Sequence, residues 1–326
     1  MYNTSLLNQL PTCPGKSGWP WDEQVAADIY NCASNWPKIS VITPSFNQGP
    51  YIEETIRSIL LQNYPNLEYI IIDGESTDET TAIIKKYEQW ITYWVSEKDT
   101  GQANAIQKGL DKCTGIIFNW INSDDLLGKD ALYQIGLTYL KNETNVKVIA
   151  GGCNHFSTNN KCDPAYVKDL TFDGMIGEYS WFQQPSQWLV LKNIGELALN
   201  QNLHYAFDWD MILNLDLKAQ EIVYLPVILS HFRHHEQSKT SLFDERFKQE
   251  KLLIVKSYLQ KANSFANRLT LHKYIFRLDC YLAVQTAIAS SKKTTALSLI
   301  NLAIGKPKVL FSKFYLGQLR KLLTKS

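Results

Sequence analysis

Two adjacent carboxylates, Asp124 and Asp125, follow directly after an apolar run that extends from Ile116 to Ile121. Such a run predicts a buried strand, and the end of that strand would place both carboxylates at the edge of a sheet. In open α/β sheets, ligands bind at this edge, beyond the carboxyl ends of the strands. Because neighbouring carboxylates repel each other unless a proton or a cation lies between them, the pair favours a divalent cation that carries substrate phosphates. A second interpretation stays open, in which one aspartate caps a helix that begins near Lys129.

Three further strands are predicted upstream of this run, and polar residues follow each of them. Their alternation with amphipathic helices predicts an α/β fold with a mostly parallel sheet flanked by helices. Because parallel strands end at the same edge, we expect Ser45, Asp73, Asp99 and Asp124 to converge on one ligand site. The predicted strands are residues 39–43, 68–72 and 91–95, and the predicted helices are residues 51–62, a segment from the capping box Ser76-Thr77-Asp78-Glu79 to about Gln89, and residues 102–111.

The composition is that of an ordinary globular protein and gives no reason to expect a nucleic-acid partner. The 326 residues carry a net charge of +1, with 45% apolar and 20% charged residues. The six cysteines form no CxxC pair, so neither a zinc site nor a redox motif is indicated. With no secretory signal and no run of about 20 apolar residues, we expect a cytoplasmic protein.

Signatures of several other enzyme classes are absent from the sequence. No GxGxxG follows the first predicted strand, and neither a GxxxxGK[ST] phosphate loop nor a GxSxG nucleophile elbow occurs. A nucleotidyltransferase would need a phosphate loop rich in glycine and arginine after the first strand. The corresponding residues, Pro44 to Pro50, contain no arginine or lysine, so this class ranks last among the alternatives.

Five short segments, taken in order, resemble family 2 glycosyltransferases of the GT-A fold, and in particular a bacterial polysaccharide-type subgroup. The resemblance covers roughly Pro37 to Thr240. It implies an N-terminal extension over 1–37, a glycosyltransferase domain over 38–240 and a helical, basic C-terminal region over 241–326. The aromatic pair around Pro20 is expected to pin the extension onto the domain. The matching segments are ISVITPSFN from Ile39, IIDGESTD from Ile71, SEKDTGQA from Ser96, NSDD from Asn122 and FDWD from Phe207.

The resemblance implies a donor site for a nucleotide sugar such as a UDP-, dTDP- or GDP-sugar. Asp73 would accept hydrogen bonds from the nucleobase or ribose, and Asp124 would ligate Mn²⁺ or Mg²⁺ on the diphosphate, with Asp125 as a helper or a contact to the sugar. The family often has an acid where this chain has Asn122, which leaves Asn122 as an uncharged metal ligand. Residues 231–240 are expected to form a loop after the last predicted strand, in which His231, His234 or His235 could supply a further ligand; His235 best matches the family's terminal motif. Arg233 or Lys239 is available to neutralise the diphosphate. The other donor-binding residues would be Thr43, Pro44, Ser45, Phe46, Asp99, Gly101 and Gln102.

The resemblance also implies inverting transfer, which needs a base for the acceptor hydroxyl. Asp208 occupies the position of the family's base, with Asp210 in reserve; the alternative is that Asp208 caps a helix. Gln183, Gln184 and Trp188 resemble the acceptor-side segment. The acceptor is expected to be a glycan or a lipid-linked precursor at the inner face of the plasma membrane, in cell-envelope polysaccharide synthesis.

Two questions stay open at the level of sequence. The chain has no acidic residue after Asp279, so its basic C-terminal region either lies on an anionic membrane surface or packs as a small helical bundle. In addition, Asn122 and this basic region allow a catalytically weak scaffold subunit of a glycan assembly complex. The basic residues concerned are Lys292, Lys293, Lys306, Lys308, Lys313, Arg320, Lys321 and Lys325.

Overall fold

A computed structural model describes residues 5–142, 144–157, 164–176, 182–236, 238–239, 244–261, 265–289 and 295–323. These residues form two compact units, and the chain passes from the first to the second between Ser238 and Lys239. The predicted boundary at Thr240 lies outside the described residues, as do Lys292, Lys293 and Lys325.

The first unit is built on one sheet with helices between its strands. The strands are β1 (Ile39–Ser45), β2 (Leu67–Asp73), β3 (Tyr93–Ser96), β4 (Ile117–Trp120), β5 (Leu126–Leu127), β6 (Val148–Phe156), β7 (Ala165–Tyr166), β8 (Gln187–Val190) and β9 (Ile222–Arg233). The helices before Ser238 are α1 (Leu6–Gln9), α2 (Gly49–Leu60), α3 (Thr80–Tyr87), α4 (Gln102–Leu110), α5 (Ala131–Lys141), α6 (Phe172–Ile176), α7 (Leu191–Ile194) and α8 (Phe207–Asn214).

The strand order is β3-β2-β1-β4-β8-β6-β9-β5, with β7 paired to β6. The pairs β1–β2, β1–β4 and β2–β3 are parallel, as the alternating pattern predicts. Beyond β4 the sheet is mixed, because β8 runs antiparallel to both β4 and β6 while β6 and β9 are parallel. The predicted α/β fold with helices flanking the sheet is therefore confirmed.

Helix α2 shows why the sequence folds this way locally. Ile52, Ile56 and Ile59 recur at helical spacing and are completely buried in the main core against the sheet. Each buried side chain of this size stabilises the fold by about 1.5–3 kcal/mol. Pro50 lies in the first turn, where its missing N–H costs no hydrogen bond.

A buried arginine side chain holds the N-terminal extension. Arg57 of α2 is 2% exposed and donates hydrogen bonds to the backbone carbonyls of Pro11, Pro20 and Trp21, at 2.8–3.1 Å. Bonds from a charged donor contribute about 1.5–3 kcal/mol each. The indole N–H of Trp19 donates to the carbonyl of Leu127, 2.9 Å away, so the extension is pinned to the domain as the aromatic pair predicts.

The second unit is helical: α9 (Asp244–Lys261), α10 (Phe265–Ala289), α11 (Thr295–Gly305) and α12 (Lys313–Leu323). A small core unites α10, α11 and the chain that follows it, formed by Cys280, Val284, Leu299, Val309 and Tyr315. Among the helices that the structure describes, none is long and apolar enough to cross a membrane.

Candidate active site

The carboxyl ends of β1, β2 and β3 lie side by side. Ser45 pairs with Asp73, and Asp73 pairs with Ser96, so the last residue of each strand occupies the same level of the sheet. The backbone N–H of Gly74 donates to the carbonyl of Ser45, 2.8 Å away, and that of Glu97 donates to the carbonyl of Asp73, 2.9 Å away. The loops that follow the three strands therefore start from one edge.

Asp73, the last residue of β2, binds the loop that follows this strand. Its side chain is completely buried and accepts hydrogen bonds from the backbone and hydroxyl groups of Ser76 and from the hydroxyl of Ser96. These bonds occupy the carboxylate that was expected to accept from a base or ribose. They also explain why the predicted capping box does not form: Ser76 bonds Asp73, and α3 begins only at Thr80, without a side-chain cap.

The loop after β1 presents one aromatic side chain to solvent. Phe46 is 59% exposed, whereas Pro44 and Ser45 are buried. Thr43 is completely buried and its hydroxyl bonds that of Tyr69 at 3.1 Å, so its predicted direct contact with the donor does not fit this structure. An exposed aromatic face is suited to stacking on a flat base.

Gly74 brings the β2 loop close to two other loops. A Cβ on Gly74 would lie 2.6 Å from Oδ2 of Asp99 and 3.5 Å from Cδ2 of Phe46. Asp99 also accepts a hydrogen bond from the backbone N–H of Gly101, 2.8 Å away. Gly101 has φ +127°, a conformation that side chains rarely adopt, and it directly precedes α4. Phe46 and Asp99 therefore flank a patch of bare backbone at the strand edge.

The acidic loop is the segment 121–125 between β4 and β5, and Asn122 bonds two neighbouring side chains there. Its Oδ1 accepts from the amide of Gln102 at 2.7 Å, and its own amide donates to Oδ2 of Asp125 at 3.0 Å. The oxygen that was expected to ligate a metal is thus engaged by Gln102. This arrangement fits Asn122 as a residue that orients Gln102 and Asp125, and it does not fit the predicted metal ligand.

Asp125 lies beneath the loop rather than at its surface. It is 1% exposed, and its Oδ1 accepts from the backbone N–H of Arg233 at 3.0 Å. Burial, and then the neighbouring Asp124 carboxylate, raise the pKa of Asp125 well above its usual range. Its contacts give Asp125 a role inside the protein, so the sugar contact predicted for it does not fit.

Asp124 and His235 form the part of the acidic loop that fits a metal ion. Nε2 of His235 lies 2.9 Å from Oδ2 of Asp124, and the imidazole packs on Tyr51 with ring centroids 4.7 Å apart. Nδ1 of His235 is buried with no hydrogen-bond partner among the described residues. One carboxylate oxygen and one imidazole nitrogen thus converge, and divalent cations bound with substrate phosphates need only one or two protein ligands. No group of three or more His, Cys, Asp or Glu side chains suited to a metal occurs in the part of the chain that is described.

Arg233 clamps the acidic loop. Its Nε donates to the carbonyl of Asp124 at 2.9 Å and its Nη2 to Oε2 of Glu54 at 2.8 Å. The guanidinium also lies between the rings of Tyr51 and Phe156, 5.2 and 4.5 Å from their centroids. Arg233 was expected in a loop, but β9 continues through it because His231, Phe232 and Arg233 pair with the end of β6. Glu54 was missed, since no local pattern relates α2 to the end of β9.

Asp208 lies in the first turn of α8, which packs next to the end of β4. The ring of Phe207 stacks on Trp120 with centroids 6.1 Å apart. Asp208 is partly exposed and its Oδ1 accepts from the backbone N–H of Trp209 at 2.7 Å, whereas Asp210 is only 7% exposed. The N-cap of α8 is Ala206, so the alternative that Asp208 caps the helix is wrong, although an aspartate in the first turn does stabilise a helix.

The segment before α8 runs along α4. The backbone N–H of Leu199 donates to the side chain of Gln107 at 2.9 Å, and the amide of Asn104 donates to Gln201 at 2.8 Å. A Cβ on Gly101 would lie 3.4 Å from Nδ1 of His204, which the sequence did not single out. The chain that carries Asp208 is therefore attached to the helix that follows Asp99.

The segment predicted to contact the acceptor is largely internal. Trp188 is completely buried in the main core, so it packs the sheet and its predicted contact with a sugar is wrong for this structure. Gln184 donates to the side chain of Asn119 and the carbonyl of Trp120 at the end of β4, at 2.9 and 3.0 Å. Gln183 is 6% exposed and bonds His155 at 2.8 Å.

His155 continues this chain of bonds to a second imidazole. Its Nδ1 lies 2.8 Å from Nε2 of His234, and the two rings stack with centroids 5.1 Å apart. Burial, and then the charge of the neighbouring His155 ring, lower the pKa of His234. His235, the last of the three histidines between Ser230 and Glu236, is in contact with Asp124.

Comparisons with known proteins agree with this geometry. Residues 40–189 match the family model described as Glycosyl transferase family 2. A putative teichuronic acid biosynthesis glycosyltransferase, TuaG of Bacillus subtilis, is 42% identical over 103 residues, which are 30% of this chain and 41% of TuaG. An uncharacterized glycosyltransferase of Rickettsia typhi, RT0329, is 26% identical over 217 residues, 63% of this chain and 66% of that protein. The first of these relatives is thus matched over less than half of its length.

Two solved structures share the fold at low identity. Residues 1–349 of S. aureus TarS in complex with UDP-GlcNAc give a TM-score of 0.60 at 19% identity, over 81% of this chain and 79% of that one. The mannosyltransferase PcManGT from Pyrobaculum calidifontis, in complex with GDP-Man and Mn²⁺, gives 0.56 at 18% identity and covers 89% of each chain.

Proposed function

Since residues 40–189 of this chain form a family 2 glycosyltransferase domain of the GT-A type, we propose that the protein transfers a sugar from a nucleoside diphosphate donor to a hydroxyl group of a glycan or lipid-linked acceptor. The observation that carries the proposal is that the loops after β1, β3 and β4, which carry Phe46, Asp99 and Asp124, leave parallel strands at one edge of the sheet. Two structural neighbours, one in complex with UDP-GlcNAc and one with GDP-Man, support a nucleotide sugar as the donor.

In this proposal the nucleobase of the donor stacks on the ring of Phe46. The carboxylate of Asp99 accepts hydrogen bonds from the base or ribose over the bare backbone of Gly74, where no Cβ stands in the way. Asp73 supports this site indirectly, because it fixes the loop that contains Gly74. Gln102, in the first turn of α4, donates to Asn122 and so links the start of that helix to the loop that carries Asp124.

We further propose that Asp124 and His235 hold a divalent cation, Mn²⁺ or Mg²⁺, when the donor is bound. Such an ion would act as a Lewis acid on the departing nucleoside diphosphate. Support comes from the converging Oδ2 atom of Asp124 and Nε2 atom of His235. Arg233 and Asp125 hold the backbone on which Asp124 is carried.

Asp208 is the proposed base. Its carboxylate takes the proton of the acceptor hydroxyl while that oxygen forms a bond to the anomeric carbon from the face opposite the phosphate. The bond between the anomeric carbon and the phosphate oxygen breaks, and the nucleoside diphosphate leaves with the electron pair, so the configuration inverts. Asp210 is the less suitable candidate because it is almost completely buried.

The proposed setting is polysaccharide synthesis at the inner face of the plasma membrane. TuaG, the relative named for teichuronic acid biosynthesis, supports an acceptor of the glycan class.

The proposal is tested with a panel of UDP-, dTDP- and GDP-sugars, each incubated with the full chain in Mn²⁺ or in excess EDTA. We expect release of the nucleoside diphosphate from at least one donor in Mn²⁺ and at least a tenfold lower rate in EDTA. Saturable nucleotide binding without turnover of any donor, on any glycan or lipid-linked acceptor supplied, would instead favour the scaffold alternative that Asn122 raises.

A further inference from the structure

The segment from Ile300 to Leu316 in the second unit exposes a series of apolar side chains. Phe311 is 81% exposed and Ile304 is 74% exposed. Single exposed apolar residues are normal, but a contiguous series of them marks an interaction surface. The other exposed members of the series are Ile300, Leu310 and Leu316.

These side chains are exposed although the segment itself is packed. Leu299, Val309 and Tyr315 are almost completely buried in the core of the second unit, and the hydroxyl of Tyr315 donates to the carbonyl of Leu299 at 2.9 Å. The backbone is thus held by inward-facing residues that alternate with the exposed ones. Exposure of Phe311 and Ile304 is therefore a property of the folded unit and does not need an unfolded segment.

Every charged residue between Ile300 and Leu316 is basic. Lys306 and Lys308 lie between Ile304 and Phe311, and both are exposed. Eight lysine and arginine residues follow Asp279 in the sequence, and no aspartate or glutamate does. Apolar side chains interleaved with basic ones are typical of protein surfaces that lie among anionic lipid head groups.

We propose that this surface, residues 300–316, docks on an anionic lipid bilayer. Phe311 and Ile304 enter the boundary between head groups and acyl chains, and Lys306 and Lys308 bind lipid phosphates. The inference depends on the proposed function in one respect: transfer to a lipid-linked acceptor would give the protein a reason to bind a membrane. The exposure and the charge that carry it lie entirely within the second unit.

The test is flotation of the full chain with vesicles of phosphatidylcholine alone or mixed equally with phosphatidylglycerol. We expect binding to the anionic vesicles that is lost in 0.5 M salt. The double variant Lys306→Gln/Lys308→Gln should weaken this binding about thirtyfold, since each basic residue near the surface contributes about 1 kcal/mol and 1.4 kcal/mol is tenfold. Phe311→Ser should weaken it about tenfold or more.

A matched control is Leu253→Ser on α9. Leu253 is 64% exposed, but its helix carries Lys256, which lies 4.0 Å from the carboxylate of Asp279, so the charge there is compensated. This variant should bind vesicles like the original chain. Equal binding to neutral and anionic vesicles, or unchanged binding of the Phe311 and lysine variants, would overturn the proposal.

Self-association is the competing use of this surface. A dimer seen by light scattering that Phe311→Ser dissociates, together with no vesicle binding, would assign the surface to a second copy of the chain. Donor turnover measured on the same variants separates the two proposals. Vesicle binding without turnover of any donor counts against the glycosyltransferase assignment alone, whereas turnover without vesicle binding counts against the membrane surface alone.

Discussion

At the scale of single residues, side chains that are adjacent in the acidic loop make different contacts and have different roles. Asp124 faces His235, while Asp125 is buried and Asn122 binds two neighbours. The adjacent carboxylates therefore do not act as an equivalent pair. The deeper one, Asp125, accepts a hydrogen bond from the backbone N–H of Arg233, while its burial and the charge of Asp124 raise its pKa.

Arg233→Lys tests whether Arg233 positions Asp124 or binds the diphosphate. A lysine lacks the planar guanidinium group that donates to the Asp124 carbonyl and to Glu54 at the same time. We expect about tenfold weaker binding of Mn²⁺ to the donor-free protein, as is common when a group supporting a metal ligand is lost. Titration of free Mn²⁺ by electron paramagnetic resonance measures this.

Arg246→Lys, at an exposed position of α9, is the matched control and should leave Mn²⁺ affinity unchanged. If Arg233→Lys leaves Mn²⁺ affinity intact but weakens donor binding, then Arg233 is a ligand of the diphosphate and the clamp assignment is wrong.

At the scale of elements, local periodicity predicts the strands and helices from Ile39 to Leu110 with ends that differ by only a few residues. It fails where pairing partners are distant in sequence. The two-residue strand β5 exists because Leu126 and Leu127 pair with β9, about 100 residues later. For the same reason, the end of β9 was taken for a loop.

Side chains that bond outside their own helix are equally hard to predict. Ser76 has the right spacing for a cap, yet it binds Asp73 at the end of the preceding strand. Trp188 lies in a segment that resembles an acceptor site, but strand alternation turns it into the core. In contrast, Phe46 directly follows the end of β1 and Asp124 lies four residues after the end of β4, so strand prediction alone is enough to locate both at the edge of the sheet.

Gly74→Ala tests the loop junction at this edge. The new Cβ would meet Oδ2 of Asp99, which is the far end of a side chain and can move away at little cost to the fold. We expect nucleotide affinity to fall about tenfold, the equivalent of one hydrogen bond to a charged group, with thermal stability almost unchanged. Calorimetric titration with the nucleoside diphosphate of the preferred donor measures the affinity.

Gly317→Ala serves as its control because no atom lies within 4 Å of the added Cβ. If Gly74→Ala binds nucleotide as well as the original chain, Asp99 does not form part of the donor site.

At the scale of the whole molecule, acidic and basic residues are unevenly distributed along the chain, which the net charge of +1 does not reveal. Every acidic residue lies at or before Asp279, and the family match ends at residue 189, within the first unit. The proposed transfer chemistry and the proposed membrane surface are thus carried by different units. Composition alone predicted neither, because it averages over both of them.

The central claim is that the first unit transfers sugar with Asp208 as its base. The most direct measurement compares Asp208→Asn with Asp216→Asn, an exposed aspartate just after the same helix. With the preferred donor and acceptor, Asp208→Asn should lower turnover by about 10²–10⁴-fold while the donor dissociation constant changes less than about twofold, and Asp216→Asn should change neither. Full turnover in Asp208→Asn would contradict the account.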